Sequence, residues 1–119
     1  MKSYSEKAPK QVELIGPEVY RVRWDIQKLE SEVEGKVIEQ YVCDECTVYA
    51  PLTQDSVLQA AIRSVISQSR ELKLINDYNA HVLGLSTDES VVDRYKSYIE
   101  WRASLKAKID EICSNYNIK

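Results

Sequence analysis

The chain has 119 residues, enough for one domain with its own core and too few for two. Apolar residues make up 44% and charged residues 29%, an ordinary globular balance. The net charge of −3, with Lys and Arg scattered along the chain, argues against nucleic acid, whose recognition calls for a basic stripe. No apolar run is long enough to span a bilayer, so no membrane partner is expected. The start, MKSYSEKAPKQ, lacks the apolar stretch of a signal peptide. Three cysteines without such a signal fit a reducing, cytoplasmic setting.

Residues 1–11 are polar and lack periodicity, and read as a flexible polar arm. Residues 12–119 read as a single α+β domain, with a β-hairpin region over 12–50 and a helical region over 53–116. Val12 and Leu14 alternate briefly before the turn signal Gly16-Pro17, so residues 11–15 are a candidate third strand. Tyr20, Val22, Trp24 and Ile26 share one parity, with Arg21, Arg23, Asp25 and Gln27 on the other; this is a half-buried strand. Residues 31–35 read as a polar connection in which Gly35 supplies a positive φ. A second strand runs from about Lys36 to Tyr49, rich in β-branched and aromatic residues. Its parity is muddled around 42–46, which predicts a β-bulge or local break there. The acidic block Glu30, Glu32, Glu34, Glu39, Asp44 and Glu45, relieved by Lys36, reads as a solvated hairpin turn and edge.

Pro51 ends the strand region, and Thr53 or Asp55 can cap the next helix. Val57, Leu58, Ala61, Ile62, Val65 and Ile66 form an apolar stripe suited to covering the hairpin. A second helical stretch holds Leu72, Ile75, Tyr78, Val82 and Leu83. The pattern leaves open whether residues 54–83 form one helix or two. Gly84 stands where a helix-ending glycine would. Ser86 and Glu89 have the spacing of a capping box. From there to about Asn115 the sequence has neither Gly nor Pro. Val91, Tyr95, Tyr98, Arg102, Leu105, Ile109, Ile112 and Tyr116 follow the alternating 4-3 spacing of a heptad seam. Asp88, Glu89 and Asp93 early, and Lys106 and Lys108 late, complement the helix dipole.

A helix of about 28 residues is about 42 Å long, more than the roughly 35 Å width of a compact domain this size. It either packs along residues 54–83 of its own chain or offers part of its seam to a second copy or another protein. Arg102, at a seam position, either snorkels to water or sets register through an ion pair across a helix interface. Tyr95, Tyr98 and Trp101 fall on or near one face. They are either core under the hairpin or, with Arg102, Leu105 and Ile109, an interaction surface of the kind that dominates binding hot spots.

Cys43-Asp44-Glu45-Cys46 is the one motif with the look of chemistry. Two intervening acids and a strand setting make it a poor redox pair. As a metal half-site it would need His81 and Cys113 to complete a Cys₃His set for zinc, and a turn at 43–46 to bring both sulfurs to one side. His81 is the lone histidine, so a hydrolase triad has little to work with. Gly16, Gly35 and Gly84 are too far apart for a P-loop or dinucleotide fingerprint. The expectation is a chain with no catalytic residue and no cofactor.

Three segments carry a resemblance. They are Tyr20-Arg21-Val22-Arg23-Trp24, leading through Pro51 to Ala61-Ile62-Arg63; Glu71-Leu72-Lys73-Leu74-Ile75, running to Tyr78-Asn79; and Tyr95, Tyr98, Trp101-Arg102 and Leu105-Lys106. Over about residues 18–112 this layout resembles small phage- and prophage-encoded proteins of Bacteroides-type gut bacteria, some of them tail-associated. The CDEC segment departs from that pattern. The resemblance implies a structural or assembly role, in the cytoplasm or in a virion. The expectations are then an N-terminal hairpin or small sheet on two or three helices, and a non-enzymatic, self-associating interaction protein working through its last helix. The alternative is a small zinc-stabilised adaptor.

Overall fold

A computed structural model describes residues 2–119 as an α+β fold. Four antiparallel strands come first: β1 (Lys2–Ser5), β2 (Val12–Gly16), β3 (Val19–Val33) and β4 (Lys36–Tyr49). Three helices follow: α1 (Gln54–Val65), α2 (Gln68–Val82) and α3 (Ser90–Asn115). The sheet order is β1-β4-β3-β2.

The proposed arm is a structural element. Lys2–Ser5 pairs with β4 from Asp44 back to Tyr41, so β1 covers one edge of the sheet. Met1 lies outside the described residues. Because β1 and β2 occupy opposite edges, residues 6–11 must cross the sheet between them. The crossing is pinned where the Arg23 amide donates to the Gln11 carbonyl (2.7 Å) and the Arg23 guanidinium to the Lys10 carbonyl (3.1 Å). A polar sequence gave no periodic signal for it, because its backbone bonds and not its side chains hold it.

β3 and β4 are far longer than a usual strand, and their pairing runs from Val19↔Tyr49 to Val33↔Lys36. Residues 31–33 are therefore strand and not connection. The turn is Glu34-Gly35 alone, both at positive φ (52° and 78°), as a two-residue hairpin turn requires. The register shift lies in β3, not at 42–46 of β4. Trp24 faces Asp44 and Gln27 faces Val42, so Asp25 and Ile26 share one opposing position. Asp25 has φ 51°. This bulge takes Ile26 out of the alternation begun by Tyr20, and Ile26 is absent from the core cluster.

The core lies between one face of the sheet and the helices. Val22, Trp24, Cys46 and Val48 meet Val57, Ala61 and Ile62 of α1 and Leu105, Ile109, Ile112 and Cys113 of α3. The stripe read on α1 thus covers the sheet. Its cap is Thr53, whose hydroxyl accepts from the Ser56 amide (3.0 Å) while the Ser56 hydroxyl accepts from the Thr53 amide (2.9 Å).

Residues 54–83 form two helices. Ile66 is extended, and the Ser67 hydroxyl caps α2 by accepting from the Arg70 amide. At the other end of α2, Gly84 (φ 76°) lets its own amide reach the His81 carbonyl and the Leu85 amide reach Ala80, the two bonds of a Schellman ending.

The expected capping box at 86–89 does not form. Glu89 makes no cap bond, and Asp88 instead accepts from the Ser90 amide (3.0 Å) and hydroxyl (2.6 Å). α3 carries no base in its last turn; Lys106 pairs with Asp110 and Lys108 with Asp25 of the bulge.

The radius of gyration is 18.2 Å, against about 14 Å for a compact chain of this length. α3, about 39 Å long at 1.5 Å per residue, matches the 40 Å middle dimension of a 59 × 40 × 21 Å molecule. It packs within the chain: Val91, Tyr98, Leu105, Ile109 and Ile112 of the seam are all buried. Among the described residues no helix is long and apolar enough to cross a membrane.

Ile109 is fully buried at the centre of the cluster. Ile109→Ala should therefore cost about 2–5 kcal/mol in urea unfolding. A loss below about 1 kcal/mol would mean that α3 does not seal this core.

Candidate functional site

α2 adds no residue to the core cluster. It is held through Glu71, the one buried residue on its inward side. Glu71 Oε1 accepts from Arg63 of α1 (2.8 Å), and Oε2 accepts from Arg102 of α3 (2.9 Å) and from the Tyr98 hydroxyl. Arg102 also donates to the Tyr98 oxygen (2.8 Å). Arg102 is therefore the ion pair across a helix interface, made inside one chain. The hydrogen bonds from Arg63 and Tyr98, with the two guanidinium charges, hold the Glu71 carboxyl below its ordinary range. Burial, and then the neighbouring carboxylate, push the Tyr98 phenol up.

Aromatic rings continue from this point along the α2–α3 contact. Tyr78 stacks on Tyr95 with centroids 4.3 Å apart, Tyr95 lies 6.2 Å from Tyr98, and Tyr98 lies 6.2 Å from Trp101. Tyr95, Trp101 and Arg102 remain half-buried, while Tyr98, Leu105 and Ile109 are buried in the chain's own interior. Leu105 and Ile109 are therefore withdrawn from the interaction surface expected of them.

Between the end of α1, α2 and α3 lies an open groove of about 340 Å³, lined by Val65, Ile66, Arg70, Leu74, Ser97, Tyr98 and Trp101. Val65 is more than half exposed at its rim. Val65 and Trp101 also line the next hollow, which reaches Trp24, Asp25 and Asp44 at the root of the β3–β4 hairpin.

Beyond the Lys28–Tyr41 pair that hairpin is a two-stranded ribbon. β2 stops pairing at Val22 and β1 at Tyr41, so neither covers the outer part. Residues paired across an antiparallel ladder share a face. One face carries Leu29, Val33, Ile38 and Val42 with Gln27, Ser31, Gln40 and Lys36; the other carries Glu30, Glu32, Glu39, Lys28, Val37 and Tyr41. The first face has no acid. It continues the helix-covered side of the sheet, because β4 runs unbroken from Val48 and Cys46 to Ile38. There, Leu29, Val33 and Ile38 are 45%, 50% and 47% exposed. Lys28 bridges the facing pair Glu30 and Glu39 (3.7 and 3.0 Å), so it, rather than Lys36, relieves the acidic block.

The inner end of that block is not a solvated edge. Glu45 is buried under the 6–11 crossing, where it accepts from Arg23 Nε (2.9 Å) and pairs with Arg21 (3.3 Å). Arg23 also reaches Glu13 of β2 (3.3 Å).

The zinc set is not assembled. No turn forms at 43–46, so the two cysteines keep the opposite sides that strand alternation gives them. Cys46 lies in the core with Cys113, while Cys43 shares the face of Glu45. The His81 ring stands beside the α2–α3 turn, with Nδ1 donating to the Ser86 carbonyl (3.2 Å). Among the described residues no group of three or more His, Cys, Asp or Glu is placed to hold a metal. Burial pushes the Cys46 thiol up to about 12 and raises Cys43 and Cys113 as well.

Sequence reasoning missed Glu71, the ribbon face and the groove. Glu71 had a signal: with Ile75 and Tyr78 it keeps the 4-3 spacing of the inward side of α2. The ribbon face had none, since the bulge reverses the parity of β3. Comparison of the chain with protein families, with curated proteins and with solved structures gives no match.

Two outcomes follow. Glu71→Gln should lower stability at neutral pH by about 1.5–3 kcal/mol, the worth of a hydrogen bond to a charged group. A lowered folded-state pKa stabilises above the unfolded value, near 4.3, and that stability is lost as pH falls through the folded one. The gap between wild type and variant should therefore close below about pH 4, read from urea midpoints; a constant gap would mean that charge is not what the carboxylate supplies. The three thiols should resist a maleimide at pH 8 in the native protein and all react in denaturant. A thiol that labels at once in the native state would contradict their burial.

Proposed function

We propose that this chain is a non-enzymatic interaction and assembly protein that self-associates, with the β3–β4 ribbon as its contact surface in place of the α3 seam. The observation that carries this is the projecting ribbon, whose apolar side chains Leu29, Val33 and Ile38 stand half exposed on a face without acids. A two-stranded ribbon is marginal in water and gains most from burying such a face. Glu71, His81 and the three thiols are not free for acid–base or nucleophilic chemistry. Glu71 is taken up by three donors, His81 by a carbonyl, and the thiols are buried. An assembly role is also what the resemblance of residues 18–112 to phage- and prophage-encoded proteins implies.

Light scattering on a sizing column, over a tenfold concentration range, tests this. The expected result is a species heavier than the 13.7 kDa chain, returned to that mass by Leu29→Asp with Ile38→Asp while helical circular dichroism is kept. A single 13.7 kDa species at every concentration would end the self-association reading.

A further inference from the structure

We infer that the copies join head to tail, the ribbon tip of one chain entering the Arg70–Trp101 groove of the next. This rests on the self-association proposed above and specifies its geometry.

Three observations select a second copy as the occupant of that groove. The first is charge. Around the groove stand Arg63, Arg70 and Arg102 against the one carboxylate of Glu71, and Arg70 has no ion-pair partner among the described residues. The ribbon carries the opposite balance, Glu30, Glu32, Glu34 and Glu39 against Lys28 and Lys36. The second is apolar content. Val65, Ile66, Leu74 and Trp101 offer the groove an apolar lining, and Val33 and Val37, 50% and 67% exposed, flank the Glu34-Gly35 turn. Tip and groove thus each combine apolar surface with charge of opposite sign, the pattern that steers and orients protein contacts.

The third is reach. The hollow at the ribbon's root shares Val65 and Trp101 with the groove, so the ribbon starts beside it. From Gln27 to Val33 the strand carries the tip about 20 Å away at about 3.4 Å per residue. A chain's own tip therefore cannot return to its own groove, whereas another copy's can. Such a contact uses two different surfaces and leaves one of each free at the ends. It closes into a ring where the rotation allows and extends as a filament where it does not.

A mixing experiment tests this geometry. Val33→Asp with Val37→Asp spoils the tip, and Arg70→Glu spoils the groove; all three positions are exposed, and circular dichroism checks that each variant folds. Each variant alone should run as a monomer. Their mixture should give a 1:1 heterodimer and nothing larger, because only one sound tip and one sound groove remain. Arg70→Glu that assembles like wild type would overturn the inference, as would variants that are monomeric alone and stay so when mixed. The first result, with wild type still oligomeric, would point to a symmetric ribbon-to-ribbon contact, and the second to a contact that needs a sound tip and a sound groove on the same copy; both leave the assembly reading standing. A wild type that is monomeric throughout removes both.

Discussion

The Glu71 carboxylate joins three helices that share no continuous apolar seam. α1 and α3 meet the sheet directly, whereas α2 has no residue in that core and depends on what Glu71 accepts from Arg63, Tyr98 and Arg102. An acid on the inward side of a helix is costly to bury unless its oxygens are bonded, and here both are. The two arginines are more than a third exposed, so each keeps contact with water while its charge offsets the acid. The same bonds set the distance between α2 and α3, along which the tyrosine rings stack, and they hold open the groove that Arg70 and Leu74 line from one side and Trp101 from the other.

The sheet has a second polar anchor on its other face. Residues 6–11 must pass over β4 and β3 to carry the chain from one edge to the other, and Arg23 binds that crossing through the Lys10 carbonyl. With buried Glu45 and the more exposed Glu13 it forms an ion-pair network that helices do not cover. Such pairs contribute less to net stability than their Coulomb attraction suggests, but they define where a short polar segment must lie. The edges β1 and β2 then protect only the inner sheet. Pairing at the edges ends at Tyr41 and Val22, and from there outward the ribbon stands alone.

The α+β architecture was legible because it rests on periodicity. Alternation from Tyr20 to Trp24, the stripe on α1 and the spacing from Val91 to Ile112 are all properties of the local chain, and their apolar members are largely buried, although Val65 of the stripe is exposed and Arg23, on the polar parity of β3, is buried. The features that periodicity could not show are those that depend on position in space. β1 is polar and gains its place by backbone pairing with β4 and the Lys2–Asp44 ion pair. The bulge at Asp25–Ile26 hides the ribbon's face, since strict alternation would send Leu29 and Val33 to the wrong side. The heptad spacing of α3 was visible, but not whether its own chain or another would cover it; α1, α2 and the sheet do so. Of the residues read as an interaction surface, Tyr95, Trp101 and Arg102 stay within reach of solvent, whereas Tyr98, Leu105 and Ile109 do not.

The bulge also governs how this protein can change in length. Side chains alternate sides at every residue, so one residue inserted into a single strand of the ribbon would shift which residues lie on the apolar face, and one added to each strand next to the turn would exchange a hydrogen-bonded closing pair for a non-hydrogen-bonded one or the reverse. Lengthening both strands by two residues at the turn keeps every existing residue on its side and moves the tip outward by about 7 Å. The body of the fold, anchored at Arg23 and Glu71, takes no part in that change. The ribbon can thus lengthen or shorten in steps of two residues without altering the domain that carries it.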